Sequence, residues 1–80
     1  GPWPTATIRK GNKGENVKRW QKFLWWWYSG LHKEMGSNFV DSQFGPKTES
    51  FTKRFQKARG IKVDGIVGSS TLKTAKSVKK

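Results

Sequence analysis

Two stretches of this chain repeat each other, and that repeat sets the building unit before any single residue is interpreted. Val17-Lys18-Arg19-Trp20-Gln21-Lys22 returns 35 positions later as Thr52-Lys53-Arg54-Phe55-Gln56-Lys57. Val40-Asp41-Ser42-Gln43-Phe44-Gly45-Pro46-Lys47-Thr48 returns 23 positions later as Val63-Asp64-Gly65-Ile66-Val67-Gly68-Ser69-Ser70-Thr71. The repeated unit is a glycine-ended turn that launches a helix. Its launch points, Gly14, Gly45 and Gly68, are each followed three residues later by Val17, Thr48 or Thr71, so the unit is expected three times.

Each part of the unit has a local reason. Glycine suits a helix N-cap and the turn before it. Pro46 falls at the first helical position, where a missing N–H costs nothing. Asp41 and Asp64 lie four residues before their glycines, where an aspartate accepts bonds from nearby backbone N–H groups in an Asx-type turn.

Helical periodicity predicts a first helix over Glu15 to Tyr28, with Val17, Trp20, Gln21, Leu24 and Tyr28 on one face and Leu31 in line beyond it. A second helix is predicted from Pro46 to Arg59, stopping at Gly60. Its inner face carries Thr48, Phe51, Thr52 and Phe55, with Gln56 at the margin. A third, from Ser69 to about Val78, offers Leu72, Ala75 and Val78. Ile8, Phe44, Ile61, Val63, Ile66 and Val67 are expected to close the core from the connections. The fold class is therefore all-α: a compact three-helix bundle with Asp- and Gly-containing turns between helices. Gln21 and Gln56 each follow an aromatic on the buried stripe. A buried amide must be bonded, so each is expected to hold the backbone of a neighbouring glycine turn.

Eighty residues suit one small domain, and no cysteine is present to staple it. Residues 1–6 are set aside as linker or cleavage scar, leaving 7–80 as the domain. The single methionine is Met35, so the chain reads as a piece of something longer. No apolar run approaches the roughly 20 residues that span a bilayer, so no membrane partner is expected. Seventeen Lys and Arg against five Asp and Glu give a net charge of +12, which implies an anionic partner.

The pattern Arg9-Lys10-Gly11, Gly14, Val17, Trp20-Gln21 and Leu24, then Val40-Asp41, Phe44-Gly45-Pro46-Lys47-Thr48, Phe55-Gln56 and Gly60, then Val63-Asp64-Gly65-Ile66-Val67-Gly68 and Thr71 resembles the bacterial peptidoglycan-binding domain. The resemblance covers about residues 8–78 in three blocks. It implies a small three-helix, non-catalytic wall-binding module that targets an attached cell-wall hydrolase, such as an amidase or endolysin. It also implies an extracellular location at the bacterial wall. The chain departs from the pattern at Ser42-Gln43, which replace a Gly and an apolar residue, and in the aromatic run Trp25-Trp26-Trp27-Tyr28.

Catalysis has little to work with. His32 is the one histidine, and it sits beside Glu34 with no framing motif. No enzyme activity, metal site or cofactor is expected. Trp26 projects away from the predicted core, with Arg19 and Lys22 on the same outer face. An indole beside cations suits a sugar that carries carboxylates. The candidate ligand-binding residues are Trp26, Arg19, Lys22, Trp25 and Arg54. The expected partner is peptidoglycan, with anionic wall polymers also matching the charge, and the chain is expected to be a monomer. The alternative is a small basic nucleic-acid-binding helical domain, using Lys53, Arg54 and Lys57 in a groove. It is disfavoured because no Asn or Gln is aimed outward for base reading.

Overall fold

The computed structural model describes residues 3–28, 30, 33 and 36–78, with Ser37 described by its backbone alone. Helix α1 spans Glu15–Trp27, α2 spans Pro46–Ala58 and α3 spans Ser69–Val78. Each boundary lies within one residue of the periodicity-based expectation, because the caps are local. Gly14 adopts φ 119° ahead of α1, a conformation that suits only glycine. Pro46 opens α2. Gly60, at φ 71°, ends it, with the Ile61 N–H reaching back to the Gln56 carbonyl at 3.0 Å. A 3-10 turn, Gly36–Phe39, precedes the first Asp-containing turn and buries Phe39.

The core is aromatic at its centre. Trp20, Leu24 and Phe55 have no exposed surface, and Phe23, Phe44 and Phe51 are nearly as buried. The Phe55 ring meets Trp20, Phe23 and Trp27 edge-on, with centroids 5.7, 5.3 and 5.1 Å away. The Trp20 indole N–H donates to Thr52 Oγ1 at 2.9 Å, and that hydroxyl donates onward to the Thr48 carbonyl. The predicted inner face of α2 is buried at all four positions, and Gln56, placed at its margin, is buried with them.

Two sequence expectations are corrected. Phe23, placed on a flank, is buried because Trp3, Trp20 and Phe55 pack around it. Val63, expected in the core, is 48% exposed. Gln56 holds the turn by the backbone of Asp64 and Gly65, and the preceding side chain is left outside. Residues 3–6, set aside as linker or scar, make specific contacts: Trp3 packs on Phe23, Pro4 is buried and the Thr5 N–H donates to Asn16 Oδ1 at 3.1 Å. Gly1, Pro2, Leu31, Met35 and the C-terminal Lys79 and Lys80 lie outside the described residues, as does the His32–Glu34 pair.

The N-terminal stretch laces the turns together. Ile8 and Val67 pair antiparallel, with N–O distances of 3.2 and 2.8 Å. Gly11 donates to the Phe44 carbonyl, Phe44 to that of Asn12, and Gly14 to that of Ser42. Both Asp-containing turns are thereby tied to one segment, which satisfies backbone groups that helices alone leave open.

Candidate functional site

The two Asp-containing turns are built identically. Gln21 Nε2 donates to Asp41 Oδ1 (2.9 Å), the Gln43 carbonyl (2.9 Å) and Thr48 Oγ1 (3.0 Å), while its Oε1 accepts from the Asp41 and Ser42 N–H groups. Gln56 does the same with Asp64, the Ile66 carbonyl, Thr71, and the N–H groups of Asp64 and Gly65. In each turn the aspartate also accepts from the N–H two residues on, at 3.0 Å for Gln43 and 2.9 Å for Ile66. Two backbone donors on one side fix which end of the amide is oxygen. Every polar atom of these fully buried glutamines is therefore satisfied.

The first launch point differs. Gly14 has no glutamine lock, and its turn is held by Asn12 Oδ1 accepting from the Arg9 N–H at 2.9 Å. The launch is used three times but the lock only twice. The Ile66 N–H, followed by the Gln56 amide and the charge of Lys62, holds the Asp64 carboxyl below the usual carboxylate range against the opposing effect of burial.

The proposed ligand residues fall on two faces. Trp26 is 50% exposed on the outer side of α1, its ring 5.9 Å from that of Phe23. Lys22 is exposed one turn before it. Arg19 shares this face, but its guanidinium is engaged: Nη1 donates to the Trp3 carbonyl at 3.1 Å and Nε lies 3.6 Å from Glu15. Trp25 turns the other way, and its indole N–H donates to the Gly36 carbonyl at 2.9 Å, pinning the 3-10 turn. Arg54 belongs to a separate cluster. Its guanidinium lies 4.8 Å over the Phe51 ring and 5.5 Å over Tyr28, and Nη1 donates to the Tyr28 hydroxyl at 3.2 Å.

That stack was not read from the sequence. The i, i+3 spacing of Phe51 and Arg54 on α2 is the signal that was available; the approach of Tyr28 is a tertiary event. Among the described residues no group of three His, Cys, Asp or Glu side chains is placed to hold a metal ion, and no helix is long and apolar enough to cross a membrane.

With this geometry in view, the chain matches the peptidoglycan binding domain family over residues 13–74. The chain belongs to that family. The peptidoglycan-binding domain is 38% identical over 68 residues to the N-acetylmuramoyl-L-alanine amidase CwlL of Bacillus licheniformis, covering 85% of this chain and 19% of the amidase. It is 36% identical over 67 residues to the Zinc D-Ala-D-Ala carboxypeptidase of Streptomyces albus G, covering 84% of this chain and 25% of that enzyme. Among solved structures, the SleB N-terminal domain superposes with a TM-score of 0.79 at 31% identity, over 98% of this chain and 99% of that one. The peptidoglycan-binding domain thus spans a quarter or less of these two enzymes, as a non-catalytic module of the cell-wall-associated kind.

Proposed function

We propose that this domain tethers an attached cell-wall hydrolase to peptidoglycan outside the cell membrane, and that the outer face of α1 makes the glycan contact. Binding of this kind raises the local concentration of a linked enzyme without taking part in its chemistry. The observation that carries the reading is Trp26, half exposed in a helix whose other aromatic rings are buried or partly buried. A large ring half exposed at the surface marks a contact surface. Lys22 supplies a cation one turn away, and the net charge of +12 favours an anionic wall. Arg19 has a narrower role, orienting the segment around Trp3 beside that ring, while Trp25, turned to the Gly36 carbonyl, and Arg54, in its own cluster with Phe51 and Tyr28, lie off this face.

The test is co-sedimentation with purified peptidoglycan, run against duplex DNA at low salt and at about 0.5 M salt. Exposed charges are screened within about 10 Å at 0.1 M, whereas ring stacking is not. Trp26→Ala should weaken wall binding at both salt levels, and Lys22→Ala at low salt only. A Trp26→Ala variant that sediments like the parent at both salt levels removes α1 as the binding face. Preference for DNA over the wall overturns the whole reading.

A further inference from the structure

The internal duplication separates what the fold requires from what it does not. Both copies of the turn keep the glutamine, the aspartate, the glycine and the threonine that lock it. The positions around the lock differ. In the first copy they are Pro46, Lys47, Phe51 and Arg54; 23 residues on, they are Ser69, Ser70, Thr74 and Ser77. The second copy folds with small polar groups there, so the lock itself does not require the cations of the first copy; Phe51 packs into the core and forms the floor beneath them.

Those first-copy residues line an open groove of about 280 Å³, formed by Pro46, Lys47, Ser50, Phe51 and Arg54. Among the described residues no acid is paired with its cations. Among the described residues, Glu15 is paired with Arg19, Glu49 with Lys53, and the two aspartates with their glutamines. None of these acids reaches Lys47 or Arg54. Meanwhile the Arg54 guanidinium is held in place by the rings of Phe51 and Tyr28 and by the Tyr28 hydroxyl. A guanidinium already positioned, with donors unused, loses little further freedom on meeting a carboxylate.

We infer that this groove is a second recognition site, which takes a short extended peptide bearing carboxylates and grips it at both ends. Arg54 accommodates one carboxylate through its planar fork, and Lys47 meets another as a point charge. Seven residues of helix separate the two by about 10 Å along the axis. An extended peptide covers that span in about three residues. The identification of the peptide as the peptide part of peptidoglycan rests on the wall-binding reading above; the carboxylate chemistry does not.

The test is an NMR titration of the 15N-labelled 80-residue chain with peptides cut from purified peptidoglycan by an amidase. Resonances of Lys47, Ser50, Phe51 and the Arg54 side chain should shift. Affinity should fall about tenfold in Arg54→Gln and about threefold in Lys47→Gln, whose exposed position leaves the fold intact. Arg54→Lys keeps the charge without the fork and should fall between Arg54→Gln and the parent. The same peptides with their carboxyls converted to amides should leave the groove unshifted. The proposal is overturned if the amidated peptides bind as well, or if Lys47→Gln and Arg54→Lys both match the parent. It is also overturned if peptide-free glycan strands or poly(glycerol phosphate) occupy the groove more tightly than the peptides. If the parent sediments with peptidoglycan while the groove stays unshifted, the groove fails and wall binding stands. If the peptides shift the groove but the parent does not sediment, wall binding fails and the carboxylate site stands.

Discussion

Gln21 and Asp41 bond to each other twice: the glutamine amide donates to the carboxylate at 2.9 Å, and the aspartate N–H donates back to the glutamine oxygen at 3.1 Å. Gln56 and Asp64 repeat the arrangement at the same two distances. Each pair joins the middle or end of one helix to the turn that starts the next. The glutamine therefore sets where the following helix begins, and the turn supplies the partners that make a fully buried amide tolerable.

Gln56→Ala should destabilise the domain by about 3 kcal/mol or more, because it leaves several buried groups unbonded at about 1–3 kcal/mol each. A domain of this length holds roughly 4–12 kcal/mol in total, so the variant should be largely melted near body temperature. Gln56→Glu should fare little better, since a carboxylate accepts the two N–H groups but repels Asp64. Urea melts of both variants decide it, and a loss below about 1 kcal/mol in either would show that the lock is dispensable.

Ser42 has φ 66° at the position where the second copy has Gly65 at φ 73°. A left-handed residue with a Cβ costs about 1–2 kcal/mol, partly offset by the extra unfolded-state freedom of glycine. Ser42→Gly should therefore raise stability by about 0.5–1 kcal/mol. Gly65→Ala should lower it by more than that, since its Cβ would also stand 2.9 Å from Glu49 Cγ. Paired thermal melts test both signs, and a destabilised Ser42→Gly would count against strain at this turn.

The carboxyl of Asp64 is held below its usual range chiefly by the Ile66 N–H and the Gln56 amide. A depressed folded-state value means that the ionised form contributes stability in full above the unfolded value of about 4, and that this is lost as pH falls through the lower folded value. Asp64→Asn keeps an oxygen for the turn but cannot ionise. The stability gap between parent and Asp64→Asn should be widest near pH 7 and shrink below about pH 4. A gap that is constant from pH 7 to about pH 2.5 would remove the ionised carboxylate from the account.

Arg19→Ala should loosen residues 3–6, because the guanidinium holds the Trp3 carbonyl over the face where Trp3 packs on Phe23. The expected global cost is about 1 kcal/mol, that of one partly exposed hydrogen bond. Amide hydrogen exchange at Thr5, whose N–H is bonded to Asn16, should accelerate while the α2 amides stay protected. Unchanged exchange at Thr5 would mean that the segment is held by its tryptophan alone.

Helix limits, the inner face of α2 and the glutamine locks were legible in the sequence, because caps and the 3.6-residue period are local and the repeat shows each unit twice. The candidate site was legible only in part. The helical wheel placed Trp26 outside and Val17, Trp20, Gln21 and Leu24 inside, but could not place residues that pack across elements. Phe23 is buried because Trp3 folds back on it, Val63 is exposed because Gln56 grips the next two residues, and Arg54 is fixed by a tyrosine 26 positions away. By itself the sequence determined what each residue and its neighbours one turn away can satisfy. Which distant ring or carbonyl completes a side chain's surroundings was decided by the tertiary structure, since that depends on how the described helices and an N-terminal segment share one small core.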